Sequence, residues 1–485
     1  MVARNMHSAT PEPARQHYNV TFWILAAGAV SYSLLQSLVL PALPEFQKSL
    51  HASETSASWI LTAYLLSASV GTPIIGRLGD MYGKERVLVI TLAMLAAGTL
   101  LSAVATSMPP LLAGRAIQGA GGGIFPLAFG IIRDEFPKEK VAGGIGLMSS
   151  LLGIGGGAGV IFAGLIVEHL NYHWLFWIPL VFILAATVAT WKFVPESPVK
   201  VPGKVDWVSA FLMSAGLIIV LVAISETTTH GWTSPMVWGM VAYGTVLLVG
   251  WVRNELRSPE PLVDMGMMRI RGVWTTNTVA FLLGVGMYSA FILIPQYVQE
   301  PLTTGYGFGV TIVASGLFLL PSTVAMVTVG QFAGRLEHRF GSKPPLLAGA
   351  IFASLSFLLL VVARSERWEI YLSSLLLGIG IGLAFAALAN LIVANVRQEQ
   401  TGVATGMNTV MRTLGGALGG QVAASFLASG LIDDKPSAHG FTLAFALCLG
   451  ALVVGVLASF LIPGRERPVA RVVPVREREP VRAAA

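Results

Sequence analysis

Two arginines stand inside long apolar runs: Arg115, three residues before Gln118, and Arg412, four residues after Asn408. A guanidinium in hydrocarbon costs several kcal/mol unless it is hydrated or paired, so such a residue marks a ligand path or a relay more often than not. Asn408 and Arg412 fall one helical turn apart on one face. Together they could receive an anionic or polar group. Two plainer readings stay open: Arg115 could snorkel to the interface, because its run begins near Leu111, and Arg412 could anchor one helix to another. Gln36, Tyr64, Asn277, Gln296, Asn390 and Gln421 are lone polar residues in similar runs. Singly, each suits interhelical hydrogen bonding; as a set they could line a polar, uncharged cavity. Every Asp and Glu avoids the centre of an apolar run, the nearest being Glu54, Glu168, Asp206 and Glu226.

Other chemistry is excluded by what these residue types lack. The run Gly155-Gly156-Gly157-Ala158-Gly159 lies inside an apolar stretch with no strand before it, so it is not a phosphate cradle. Cys448 is the single cysteine, which leaves no intrachain disulfide and no thiolate metal site. His169 and His173 are four residues apart without a third ligand, and no metal is expected. With no Walker loop or triad, neither an enzyme nor a cofactor is expected.

The elements that must hold these residues are membrane helices. The chain has 485 residues, of which 54% are hydrophobic and only 12% charged, about half the charged fraction of a soluble chain. Fourteen apolar runs, each long enough to cross a hydrocarbon core of about 30 Å, are expected at 22–41, 57–76, 87–107, 111–132, 143–167, 174–194, 206–225, 235–253, 274–297, 310–333, 345–364, 370–394, 402–428 and 441–462. The alternation that a barrel would need is absent, so the spans are helices. An even count puts both ends on one side. The tails and loops of that side carry 25 of the 31 Lys and Arg, against four on the other, which assigns both ends to the cytoplasm. The same placement explains the net charge of +6 without nucleic acid. The first span is expected to act as an uncleaved anchor. The tail 463–485, rich in Pro and Arg, is expected to be disordered and to lie on anionic lipid.

The chain also repeats itself. The loop Gly76-Arg77-Leu78-Gly79-Asp80-Met81-Tyr82-Gly83-Lys84-Glu85-Arg86 returns as Gly334-Arg335-Leu336-Glu337-His338-Arg339-Phe340-Gly341, 258 positions on (334 − 76). Gly119–Gly123 matches 378–382, and Gly146, Gly155, Gly156 and Gly159 match Gly406, Gly415, Gly416 and Gly419. Two parallel six-span halves are therefore expected at 22–194 and 274–462. The remainder is a tail at 1–21, a linker with two inserted spans at 195–273, and the basic tail. Halves of this kind place a substrate path at their interface and work by rocking. Glycines such as Gly155, Gly159, Gly164, Gly415 and Gly419 are expected to pack helices closely where the halves meet.

These features resemble the major facilitator superfamily, and within it the fourteen-span drug:proton antiporter branch. Residues 76–86 look like its signature between the second and third helices. Gly114-Arg115-Ala116-Ile117-Gln118-Gly119 looks like its fourth-helix motif, and 153–164 like its fifth-helix antiporter motif. Trp59-Ile60-Leu61-Thr62-Ala63-Tyr64 is also typical of the branch. Two positions depart: Val160 stands where the fifth-helix motif carries proline, and Leu35 where the branch often carries an acid.

The resemblance implies that Arg77, Asp80, Gly83 and Arg335 belong to a latch between the halves, asymmetric because His338 replaces the aspartate. It implies export of a small molecule in exchange for protons, with Arg115, Gln118 and Glu54 as candidates for coupling. The cavity candidates are Gln36, Tyr64, Asn277, Asn390, Asn408 and Arg412. Two arginines and no acid within the spans favour neutral or anionic amphipaths over cationic ones. The expected setting is a multi-pass protein of the cytoplasmic membrane, contacting lipid and acting as a monomer. Uptake or facilitated diffusion of a nutrient is the alternative, and a non-transporting membrane module a third.

Overall fold

The computed structural model describes residues 17–463 except 40–41, 53, 198, 201–202, 430 and 433–434. The chain order is α1 (Tyr18–Ser37), α2 (Leu43–Ser49), α3 (Glu54–Tyr82), α4 (Lys84–Ala103), α5 (Met108–Gln118), α6 (Ile124–Glu135), α7 (Lys138–His169) and α8 (Trp174–Phe193). Two helices follow, α9 (Trp207–His230) and α10 (Pro235–Glu255), then α11 (Met265–Met268) and α12 (Arg271–Gln299). The remainder is α13 (Ile312–Leu317), α14 (Leu320–Phe340), α15 (Lys343–Val362), α16 (Arg367–Asn395), α17 (Thr401–Ser429), a two-residue strand pair β1 (Leu431–Ile432) and β2 (Lys435–Pro436), and α18 (Ala438–Phe460).

Among the described residues, eleven helices are long and apolar enough to cross a membrane. The other three expected spans also fall on helix, outside those eleven. Residues 143–167 lie in α7 and 402–428 in α17. The stretch 111–132 is not one helix: α5 passes through a 3₁₀ turn, Gly119–Gly123, into α6. Four glycines in five residues give that segment little intrinsic preference for an α-helix. They also let it press against α3, since a Cβ on Gly119 or Gly122 would land on Ser67 or Thr72. The matching segment 378–382 alternates Gly with Ile and stays α-helical within α16.

Three apolar cores hold the bundle. One joins α1 to α8, around Leu35, Tyr64, Phe125 and Phe176. A second joins α12 to α18, around Phe357, Phe385 and Phe445. The third packs Ala210, Met213 and Leu217 of α9 against Val403, Ala404, Met407 and Val410 of α17. Trp23, Trp191, Trp207, Trp238 and Trp368 face outward near helix ends, where aromatic rings suit the membrane interface. Asp206 caps α9 by accepting from the amides of Val208 and Ser209.

Candidate substrate cavity and interdomain latch

The halves meet chiefly along two helix pairs, α3 with α17 and α7 with α14. In the first pair, Gly76 and Gly402 cross so closely that a Cβ on Gly76 would stand 2.5 Å from the Gly402 carbonyl oxygen. Four residues on, the buried Asp80 carboxylate accepts from the amides of Gly402 (3.3 Å) and Val403 (3.2 Å). These are unsatisfied donors in the first turn of α17, where the helix dipole also favours an anion. Lys84 lies 3.7 Å from Asp80 and 2.8 Å from Asp134, with all three side chains out of solvent. Asp134 accepts from Gln398 Nε2 at 2.8 Å. Arg133 donates to Thr401 Oγ1 at 2.6 Å and to the Val396 and Arg397 carbonyls. One charged cluster of the first half thus grips the segment 396–403 of the second.

Arg77 makes no ion pair among the described residues, so Asp80's partners are Lys84 and the helix end rather than Arg77. Gly83 starts α4 at φ 112°, and a Cβ there would run into the Glu196 carboxylate. The second copy of the loop has local contacts among the described residues. Arg335 is exposed against the Phe332 ring, and Glu337 accepts from Ser342 within its own loop. The α7–α14 pair instead closes through small residues, Gly334 on Gly143 and Gly330 on Ser150, with Asn390 donating to the Ala142 carbonyl at 3.2 Å.

Beyond this closed face lies a cavity of about 280 Å³ between the halves, near the lower end of ligand-site volumes. Its walls are mostly apolar, among them Leu65, Met287, Phe291 and Phe385, and Arg412 is the one charged residue among those lining it. Arg412 is buried, with its guanidinium carbon 4.5 Å from the Phe385 ring centre and Nε without a hydrogen-bond partner among the described residues. Its guanidinium also hydrogen-bonds the Tyr288 side chain, so the ring contact, worth about 2 kcal/mol when desolvated, and this bond together offset part of the several kcal/mol that removing the cation from water costs. The Nε donor is left open to an anionic or polar group in the cavity. Beside it, Gln36 donates to the Tyr288 hydroxyl at 3.1 Å, joining the halves across the cavity. Gln421 also lines the wall.

The other candidate residues sit elsewhere. Arg115 is fully buried and does not snorkel. Its Nε donates to the Ile60 carbonyl (3.1 Å), its Nη1 to the Leu35 carbonyl (3.2 Å) and Gln118 (2.5 Å), and it covers the Tyr64 ring at 4.2 Å. Gln118 donates onward to Thr99 and Ser102. This knot ties α1, α3, α4 and α5 together and does not line the cavity; Gln36 takes no part in it and bonds to Tyr288. Asn408 donates to Asn277 (2.9 Å) and borders only a small recess behind Arg412. The side chain of Glu54 lies outside the described residues. No group of His, Cys, Asp and Glu suited to a metal occurs among the described residues.

The glycine pattern also differs from expectation. Gly155 and Gly159 pack on Ser33 and Ser37 of α1, and Gly415 and Gly419 on Phe281 and Val285 of α12, so each set binds the first long helix of its own half. Of the five, Gly164 reaches the other half, at Val313. Tyr288 was missed by sequence reasoning, although a signal exists. Gln36 and Tyr288 each precede the serine, Ser37 or Ser289, that faces Gly159 or Gly419, so they are matching positions of the repeat.

Comparison with known proteins agrees with this architecture. The chain is 28% identical to the multidrug transporter protein MdtP of Bacillus subtilis over 72% of this chain and 64% of that protein. It is 28% identical to the tetracenomycin C resistance and export protein of Streptomyces glaucescens, over 79% of this chain and 71% of that one. The crystal structure of the human organic anion transporter MFSD10 (TETRAN) superposes with a TM-score of 0.66 at 18% identity, covering 93% of this chain and all of that one, a likeness of fold. The sequence model described as Major Facilitator Superfamily matches residues 25–420, and the chain is a multi-pass membrane transporter that belongs to this superfamily.

Proposed function

We propose that this transporter exports amphipathic small molecules, neutral or anionic, by alternating access, in exchange for protons. The observation that carries the reading is the cavity between the halves, apolar but for a desolvated Arg412 and a few amides and hydroxyls, and sealed from one face by the Asp80 cluster. The relatives named for multidrug transport and for tetracenomycin C export support the direction. In this reading fourteen spans form two six-helix bundles, 22–194 and 274–462, joined by 195–273. Both ends are cytoplasmic, the membrane is the bacterial cytoplasmic membrane, and one copy suffices. The Asp80 face is then the cytoplasmic one, and the structure corresponds to a state closed to the cytoplasm. Asp80 with Gly83 forms the latch, with Arg77 and Arg335 flanking it. Gln36, Tyr288 and Arg412 meet the substrate, and Arg115 with Gln118 holds the wall behind them.

A second reading, facilitated diffusion without protons, is favoured by one observation: among the described residues, no Asp or Glu lines the cavity. Proteoliposomes loaded with a pH dye decide between the two. An imposed proton gradient is combined with a panel of cationic, neutral and anionic amphipaths. Proton flux that appears only with a transported compound supports antiport, and compound movement without proton flux supports facilitation. Preferential movement of cations would overturn the charge preference.

A further inference from the structure

The two helices between the halves are unequal. Of the most apolar window of α10, 17% is buried, against 39% for α9. Helix α9 lies along the α3–α17 pair, the same pair that carries the latch. Ala210, Met213 and Leu217 pack with Val403, Met407 and Val410 of α17, and Val70 and Ile74 of α3 pack against the same cluster. One to two turns beyond Leu217 along α9, Leu221, Ile224 and Ser225 line the central cavity. Their i, i+3, i+4 spacing puts them on one face of the helix. Beyond the helix end, Trp232 Nε1 donates to Ser425 of α17, which pins the α9–α10 turn to the second half. A tether between bundles needs none of these contacts. The insert also has no counterpart in the repeat, so only one of the two seams between the halves carries such a helix.

We propose that α9 is a wall of the substrate cavity and sets the bulk and shape of what the cavity accepts. Leu221, Ile224 and Ser225 meet the apolar body of an amphipathic ligand whose polar end lies at Arg412. This rests on the reading of the cavity as the substrate site. Because α9 crosses the seam between α3 and α17, it also separates the cavity from lipid on that side.

Cysteine reactivity tests the proposal in full-length protein in proteoliposomes. Cys448, which is buried, is replaced by Ser. Ser225→Cys is compared with Thr413→Cys, a cavity position of α17, and with Val246→Cys, an exposed position of α10. With a small, charged, water-soluble methanethiosulfonate, Ser225→Cys should react within about tenfold of the rate of Thr413→Cys, while Val246→Cys reacts only with a lipophilic maleimide. Behaviour of Ser225→Cys like Val246→Cys overturns the proposal. The probe 1-naphthoate, an aromatic carboxylate, should slow both cavity positions several-fold. Slowing of Thr413→Cys alone overturns contact between α9 and ligand while leaving the cavity reading in place. Slowing of neither, with Ser225→Cys still reactive, overturns the substrate reading of the cavity and with it the role of α9 in specificity. Ile224→Phe should discriminate further, raising KM for bulky substrates at least several-fold more than for slim ones. An equal effect on both, or none on either, counts against the proposal.

Discussion

Asp80→Asn isolates the charge of the latch. The carboxylate accepts two backbone bonds, at 3.3 and 3.2 Å, in the first turn of α17. Hydrogen bonds to a charged group contribute about 1.5–3 kcal/mol, against about 0.5–1.5 for neutral pairs, and an anion at a partly buried helix N-terminus adds up to about 2 kcal/mol. The amide keeps one acceptor oxygen, but its NH₂ now faces a backbone donor. The net loss is about 3 kcal/mol, close to a hundredfold change in the ratio of latched to unlatched forms at tenfold per 1.4 kcal/mol. The fold should survive, because Lys84 keeps Asp134 at 2.8 Å. The assay is the labelling rate of Thr413→Cys by a membrane-impermeant thiol reagent added on the side of residues 76–86, with Cys448 replaced. Asp80→Asn should raise the rate by about tenfold to a hundredfold, saturating once the open form dominates. Gly76→Val must part α3 from α17 and serves as the positive control. A rate for Asp80→Asn within twofold of the parent, with Gly76→Val accelerated, would refute the latch reasoning.

Three further outcomes are expected. Arg412→Gln removes the single charge of the cavity wall, and transport of an aromatic carboxylate should lose about ten- to a hundredfold in kcat/KM, from about 1.5–3 kcal/mol per charged hydrogen bond, while a neutral isostere changes by less than threefold; equal losses for both would point to a structural role. Arg115→Leu should lower stability by about 3 kcal/mol, read as a drop in Tm of the detergent-solubilised protein, because it unties α1, α3 and α5 at once; an unchanged Tm with abolished proton flux would return Arg115 to the coupling machinery. Gly415→Ala places a methyl group on the Phe281 carbonyl and should cost about 1–3 kcal/mol by overpacking, whereas Gly450→Ala on α18 meets nothing within 4 Å and should be neutral or slightly stabilising; both are read by thermal unfolding.

The sequence by itself determined the class of molecule. Apolar runs of membrane length and one-sided Lys and Arg are consequences of the bilayer and depend on no tertiary contact. The paired loops and glycines pointed to two halves, because a repeat keeps its spacing whatever it packs against. The sequence also singled out Arg115 and Arg412, since a buried guanidinium is costly wherever it lies.

It could not separate the two, because what compensates each cation comes from other helices: carbonyls of α1 and α3 around Arg115, and the Phe385 ring, the Tyr288 side chain and open space beside Arg412. Asp80 was legible as a candidate for a latch, but its partners were not, since the Gly402 and Val403 amides lie more than 320 positions away and carry no side-chain signal. The close-packed glycines announced tight contacts without saying which helix they touch. Least legible was α9. It is apolar on every side, so no stripe marks the face toward α17 and the cavity. Only the packing of the two halves decides that three of its residues line the cavity.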